Sequence, residues 1–140
     1  MQVEGVAGEF DHFAIDLAHR RLYLAAEDQK TVEVFDLTAK KHIGSISLFA
    51  RPHGLVFFPK SSRLIVADGG DGTVKFIDME TRKISSQIKT ALRADSVAFD
   101  PASDTEVMFV MVICGAPSIS CGPSPGMIPA KFTLEFCGVR

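Results

Sequence analysis

The chain has 140 residues, enough for one domain with a sizeable core, and its 46% apolar and 23% charged residues are the balance of an ordinary globular protein. A net charge of −2 speaks against a nucleic-acid surface, which needs a basic excess to displace counterions. The longest apolar run, Val107 to Cys114, is too short to span a bilayer and suits a buried strand.

In chain order the elements read as short strands. Phe13, Ile15 and Leu17 alternate with less apolar neighbours, and Ala18-His19-Arg20 marks the first turn. Arg21 to Ala25 is a second strand, closed by Glu27-Asp28-Gln29-Lys30. Val32, Val34 and Leu37 define a third, and Thr38-Ala39-Lys40 leads to a fourth that ends near Ile46. No window sustains a helical period for three turns.

Displaced by 42 residues, the sequence falls on itself. Arg21-Leu22 meets Arg63-Leu64, Val32 meets Val74, Phe35-Asp36 meets Ile77-Asp78, Lys41 meets Lys83 and Ile46 meets Ile88. A third copy begins in phase, with Val97-Ala98-Phe99 on Leu55-Val56-Phe57 and Pro101 on Pro59. A period in the range of about 40–45 residues with four short strands per unit predicts propeller blades. The expected fold is therefore all-β: an incomplete β-propeller of about two and a half four-stranded antiparallel blades, followed by a C-terminal tail that does not match. The expected division is a lead-in over 1–11, blades over 12–50 and 51–92, a partial blade over 93–114 and an aberrant, disordered tail over 115–140.

The tail breaks every trend at once. It holds four of the seven prolines, four of the eleven glycines and three charges, and Cys114, Cys121 and Cys137 all lie in the last 27 residues. It reads either as an authentic terminus or, more in keeping with the abrupt change, as sequence outside the family reading frame. The cysteines show no metal-ligand spacing. A ring needs about four to eight blades, so further blades are expected to be required for closure, and open blade faces are an aggregation liability.

Several segments resemble the YVTN-type β-propeller repeat, related to the NHL and lactonase-type propellers. They are Phe10-Asp11-His12-Phe13-Ala14-Ile15-Asp16, Arg21-Leu22-Tyr23-Leu24-Ala25, Val32-Glu33-Val34-Phe35-Asp36-Leu37, Pro52-His53-Gly54, Ala67-Asp68-Gly69-Gly70-Asp71-Gly72-Thr73-Val74 and Ala94-Asp95-Ser96-Val97. The resemblance covers about residues 8–104. A WD40 assignment is disfavoured because the chain has no Trp to form the Trp-Asp dipeptide. The resemblance implies an exported, periplasmic protein, whereas Met1-Gln2-Val3-Glu4 lacks the basic start and apolar stretch of a signal peptide. It also implies that lactonase-type relatives hold a divalent cation at the channel mouth with carboxylate and amide oxygens.

The repeat itself nominates a site. Asp11, His53 and Asp95 are spaced by 42 and 42 residues, so they are equivalent positions just ahead of the innermost strand of three blades, at the mouth of the central channel. His12 and Gly54 lie beside them, and Gly54 permits a close backbone approach. These side chains either bind a ligand or cap backbone groups and hydrate the rim. No metal is expected, since hard cations want about six or more oxygens and three residues offer two carboxylates and an imidazole.

Other segments have plainer readings. Asp68-Gly69-Gly70-Asp71-Gly72 lacks the spacing of a calcium loop and reads as a hairpin turn. Asp36 and Asp78 read as Asx turns, Lys40-Lys41-His42 and Arg82-Lys83 as solvated turns, and the eleven phenylalanines mostly as core. No nucleophile motif is present, and no cofactor is expected. The expected function is non-enzymatic: a propeller scaffold binding a small molecule or a protein partner at the channel mouth. A lactonase-like metal-dependent hydrolase and a non-functional truncated product are the alternatives.

Overall fold

A computed structural model describes residues 6–90, 94–99 and 108–112. The expected tail over 115–140, with Cys121 and Cys137, lies outside the described residues, as do Cys114 and the segment 100–107.

Strands β1 (Phe10–Asp16), β2 (Arg21–Ala26), β3 (Thr31–Asp36) and β4 (Lys41–Ile46) form one antiparallel up-and-down sheet. Strands β5 (Pro52–Phe58), β6 (Arg63–Asp68), β7 (Thr73–Asp78) and β8 (Lys83–Lys89) form a second in the same order. Strands β9 (Ala94–Phe99) and β10 (Met108–Val112) pair as a third. β1 opens at Phe10, inside the expected lead-in, because Phe10 already pairs with Ala26. A single 3-10 turn, Pro59–Ser61, links β5 to β6, and no helix among the described residues is long and apolar enough to cross a membrane.

The hairpins follow from local chemistry. Asp36 Oδ1 accepts the backbone N–H groups of Thr38 and Ala39 at 2.8 and 2.7 Å, and Asp78 Oδ1 accepts those of Glu80 and Thr81 at 3.0 and 2.8 Å. Both expected Asx turns are thus formed. Each turn ends on a left-handed residue, Lys40 at φ 54° and Arg82 at φ 55°, which redirects the chain into the next strand.

The sheets stack face to face. Ala14, Tyr23, Ala25, Val32, Val34 and Ile46 of the first meet Leu55, Phe57, Leu64, Val66, Ile77 and Met79 of the second in one continuous core. The opposite face of the second sheet, with Phe58, Ile65, Val74 and Phe76, packs toward Val97 of β9. The innermost strands are neighbours, β1 beside β5 and β5 beside β9. The described sheets do not close a ring, and the outer face of the first sheet shows it. Phe13 and Ile15 are 61% and 41% exposed, whereas their equivalents Leu55 and Phe57 are 6% and 9% exposed. The expectation that the phenylalanines are core therefore fails at Phe10 and Phe13, because no blade covers that face.

Two buried charges sit at equivalent positions of the third strands. Lys75 donates to Asp68 at 2.5 Å and Asp71 at 2.6 Å and lies over the Phe49 ring. Asp68, fully buried, also accepts the backbone N–H groups of Ala50, Arg51 and Gly70, so it ties the inter-blade connection to the glycine-rich hairpin. Burial presses the Lys75 ammonium toward neutrality, but the two ion pairs outweigh it and hold its pKa above the usual lysine value. The equivalent residue in the first sheet is Glu33, which accepts hydrogen bonds from Thr31 Oγ1 and Ser45 Oγ at 2.5 and 2.6 Å. His42 Nε2 lies 2.6 Å from Glu33 Oε2, so His42 leaves the solvated turn in which the sequence places it and folds over a buried carboxylate.

Replacing Lys75 by Met strands the Asp68 carboxylate in the core, and we expect a loss of about 3–5 kcal/mol in urea denaturation. The Asx-turn hydrogen bonds, foremost those from Ala39 and Thr81, hold the carboxyl groups of Asp36 and Asp78 below the usual range. A depressed carboxyl pKa stabilises the fold above the unfolded value of about 3.9, and that contribution disappears as pH falls through the folded value. Native chain should therefore lose stability between about pH 4 and the lower folded pKa, and an Asp36→Asn, Asp78→Asn variant, which keeps the acceptors, should lose less over that acid window in melting curves.

Candidate functional site

The site lies where the innermost strands begin, and bulges make it. In β1 the pairing jumps from Phe10↔Ala26 to Phe13↔Leu24, so Asp11 and His12 leave the ladder. In β5 it jumps from Pro52↔Asp68 to Leu55↔Val66, freeing His53 and Gly54. In β9 it jumps from Ala94↔Val112 to Ser96↔Met111, freeing Asp95. Asp11, His53 and Asp95 thus each lie within their innermost strand, second in the strand, rather than ahead of it, with His12 and Gly54 third. A bulge turns the unpaired residue out of the pleat and re-aims its side chain.

The three side chains converge. One ligand atom each from Asp11, His53 and Asp95 lie within 4.8 Å of one another, and all three residues are half-buried. His53 Nδ1 is 2.9 Å from Asp11 Oδ2 and 3.9 Å from Asp95 Oδ1. Glu27, just past the end of β2, adds a third carboxylate: its Oε1 is 3.4 Å from the same nitrogen. The sequence reading places Glu27 in a turn. The signal that could have found it is the repeat, since its equivalent is Gly69, and a Cβ there would lie 2.6 Å from His53 Cδ2. One blade supplies a carboxylate at this position, and the next leaves space for the imidazole.

The other oxygen of each carboxylate is anchored outward. His12 Nδ1 is 2.6 Å from Asp11 Oδ1, Ser96 Oγ donates to Asp95 Oδ2 at 3.0 Å, and Arg51 Nε donates to Glu27 Oε2 at 2.7 Å. The Glu27 carboxylate in turn holds the Arg51 guanidinium pKa above its usual value. His12 therefore positions Asp11, with its own ring half exposed. Gly54 is buried, and the close approach it permits is made by protein: a Cβ would meet Asp95 O at 2.7 Å and Val97 N at 2.8 Å. Its place in the site is to let β9 lie against β5, which brings Asp95 within reach of His53.

No protein-family model and no curated protein matches the chain. Among solved structures it is similar to hydrazine synthase of Kuenenia stuttgartiensis, with a TM-score of 0.66 and 15% identity over 81% of this chain and 33% of that one. At that identity the likeness shows the fold alone. The fold is an incomplete β-propeller. Its blades are the two four-stranded sheets and the pair β9–β10, and the chain spans about a third of the length of the solved protein it resembles. In a propeller the innermost strands surround the axis, so Asp11, His53 and Asp95 come to one end of it.

Gly54→Ala should be costly although it adds only a methyl group. The contact is backbone on backbone, so the β5–β9 approach must open, and we expect a loss of about 1–3 kcal/mol in chemical denaturation.

Proposed function

We propose that this chain is part of a non-enzymatic β-propeller scaffold of the YVTN kind, whose axis-end site binds a ligand through a positively charged group. The observation that supports the reading is the convergence of side chains from three blades on His53 Nδ1. Three carboxylates, from Asp11, Glu27 and Asp95, face one imidazole, and among the described residues Arg51 supplies a guanidinium ion-paired to Glu27. Among the described residues the site is therefore richer in acceptors and negative charge than its donors satisfy, which suits a cation on a small molecule or a protein partner. The blades serve as a rigid frame, because each bulge that aims these side chains is fixed by ladder pairs before and after it along its strand. Binding rather than catalysis fits the polar groups at hand: Ser96 Oγ is engaged with Asp95 and not with His53.

A thermal-shift series at constant ionic strength tests the reading, with agmatine, spermidine, calcium and zinc as probes on the full chain. At least one probe should raise Tm in the native chain, by an amount approaching about 2.7 kcal/mol at a hundred times its Kd. The shift should vanish in the Asp11→Asn, Asp95→Asn variant. If none of the four stabilises the chain, or if the variant responds equally, the axis-end site is not a cation-binding site.

A further inference from the structure

Basic residues collect at the end of the blades opposite the axis-end site. Asp11, His53 and Asp95 meet where the innermost strands begin, so the turns that follow β1, β3, β5 and β7 lie at the far end. We propose that this turn end is a docking surface for an anionic phospholipid membrane. Docked there, the blades hold the axis-end site toward water. The surface takes no residue from that site.

The first observation is the segregation of charge. The four turns span 16–21 and 36–41 in the first sheet and 58–63 and 78–83 in the second. They hold eight of the chain's 15 Lys and Arg but four of its 17 Asp and Glu. The chain as a whole stands at −2, so the acidic excess lies elsewhere. Each turn is closed by a ladder pair: Asp16↔Arg21, Asp36↔Lys41, Phe58↔Arg63 and Asp78↔Lys83. Arg21 also pairs with Asp36, and Arg63 with Asp78, so the strand ends of each sheet fall in one row. The turns therefore project as a level edge.

The second is that these cations are unmatched. Arg20, Lys40, Lys41, Arg82 and Lys83 are exposed, and among the described residues none of the five forms a salt bridge, unlike Arg51 and Lys75 toward the other end. Lys40-Lys41 and Arg82-Lys83 are 42 residues apart, so the basic pair belongs to the repeat. Arg82 reaches across to the first sheet, where its Nη1 would lie 3.4 Å from a Cβ on Gly44. The two blades thus share one basic surface.

The third is an apolar tip among the cations. Leu17, in the turn that holds His19 and Arg20, is 79% exposed, more than any other large hydrophobic side chain among the described residues. The open face of the first sheet does not account for it. Its equivalent Pro59 is also exposed, although both faces of the second sheet are covered.

A level row of cations with a protruding leucine matches a headgroup surface: the cations meet lipid charge and the leucine enters the acyl boundary. Single-stranded nucleic acid would call for aromatic faces to stack on, and no Phe, Tyr or Trp is exposed in these turns. The acidic end is repelled by the same surface, which orients the docked blades.

The test floats the full 140-residue chain with vesicles of phosphatidylcholine alone or with about a third phosphatidylserine. We expect binding to the anionic vesicles only, weakening as salt rises from about 0.05 to about 0.5 M. Each cation at such a surface is worth about fivefold in partition. A Lys40→Gln, Lys41→Gln, Arg82→Gln, Lys83→Gln variant should therefore bind more than about a hundredfold more weakly. Leu17→Ser should bind about tenfold more weakly at unchanged charge. Lys30→Gln with Lys89→Gln, at the opposite end, should bind as the native chain does, as should Asp11→Asn with Asp95→Asn. Circular dichroism checks that each variant keeps its sheets. The proposal falls if the anionic vesicles are ignored, or if the four turn substitutions cost no more than the Lys30, Lys89 pair. It falls too if polyuridylate or polyaspartate captures the chain while Leu17→Ser leaves vesicle binding unchanged, since the basic end then serves a nucleic acid or an acidic protein.

Discussion

A methyl group at position 54 would fall 2.7 Å from the carbonyl oxygen of Asp95 and 2.8 Å from the amide nitrogen of Val97. That near contact between β5 and β9 is the constraint on which the site depends. Stacked sheets stand about 10 Å apart where side chains interdigitate. At the axis the innermost strands come closer than side chains allow, so a glycine must lie where they touch. Once β9 is admitted, Asp95 reaches His53, and β1 on the other side brings Asp11 to the same nitrogen.

Away from the axis, the blades are held by a different balance. Apolar faces fill the space between sheets, and charges enter only where several donors or acceptors meet them. Asp68 accepts four hydrogen bonds, three of them from backbone, and Lys75 divides its charge between two carboxylates. Glu33 occupies the equivalent place with the opposite charge and accepts hydrogen bonds from Thr31 and Ser45, with His42 Nε2 close to its Oε2. The repeat conserves a buried polar position on the third strand while leaving its sign free, since either sign is tolerated once its hydrogen bonds are filled. The exposed Phe13 and Ile15 mark the same stacking surface without a neighbour.

How far the sequence reading reached can be judged residue by residue. The 42-residue displacement anticipated the sheets, their strand order and the Asx turns at Asp36 and Asp78, because strand alternation and turn chemistry are local. It also selected Asp11, His53 and Asp95 as one set, since equal phase in a repeat means equal place around an axis. It set them ahead of the strands, because a bulge leaves no mark in hydrophobic periodicity. It read Glu27 and His42 as turn residues, because neither shares its chemistry with its equivalents, Gly69 and Ile84. Gly54 was noted for permitting a close approach, but only the structure shows that the approaching group is β9.

The sequence by itself determined the repeating unit, the all-β class and the chain positions that share a phase. Those follow from period-two alternation and from turn residues whose preferences act over three or four positions. The tertiary structure decided what the phased residues meet. Bulges aim them, glycines admit the neighbouring strand, and outer contacts from His12, Arg51 and Ser96 hold the other oxygen of each carboxylate. The contacts of His53 with Glu27, Asp11 and Asp95 join residues 26 to 42 positions apart, and no local preference encodes the distance at which they close.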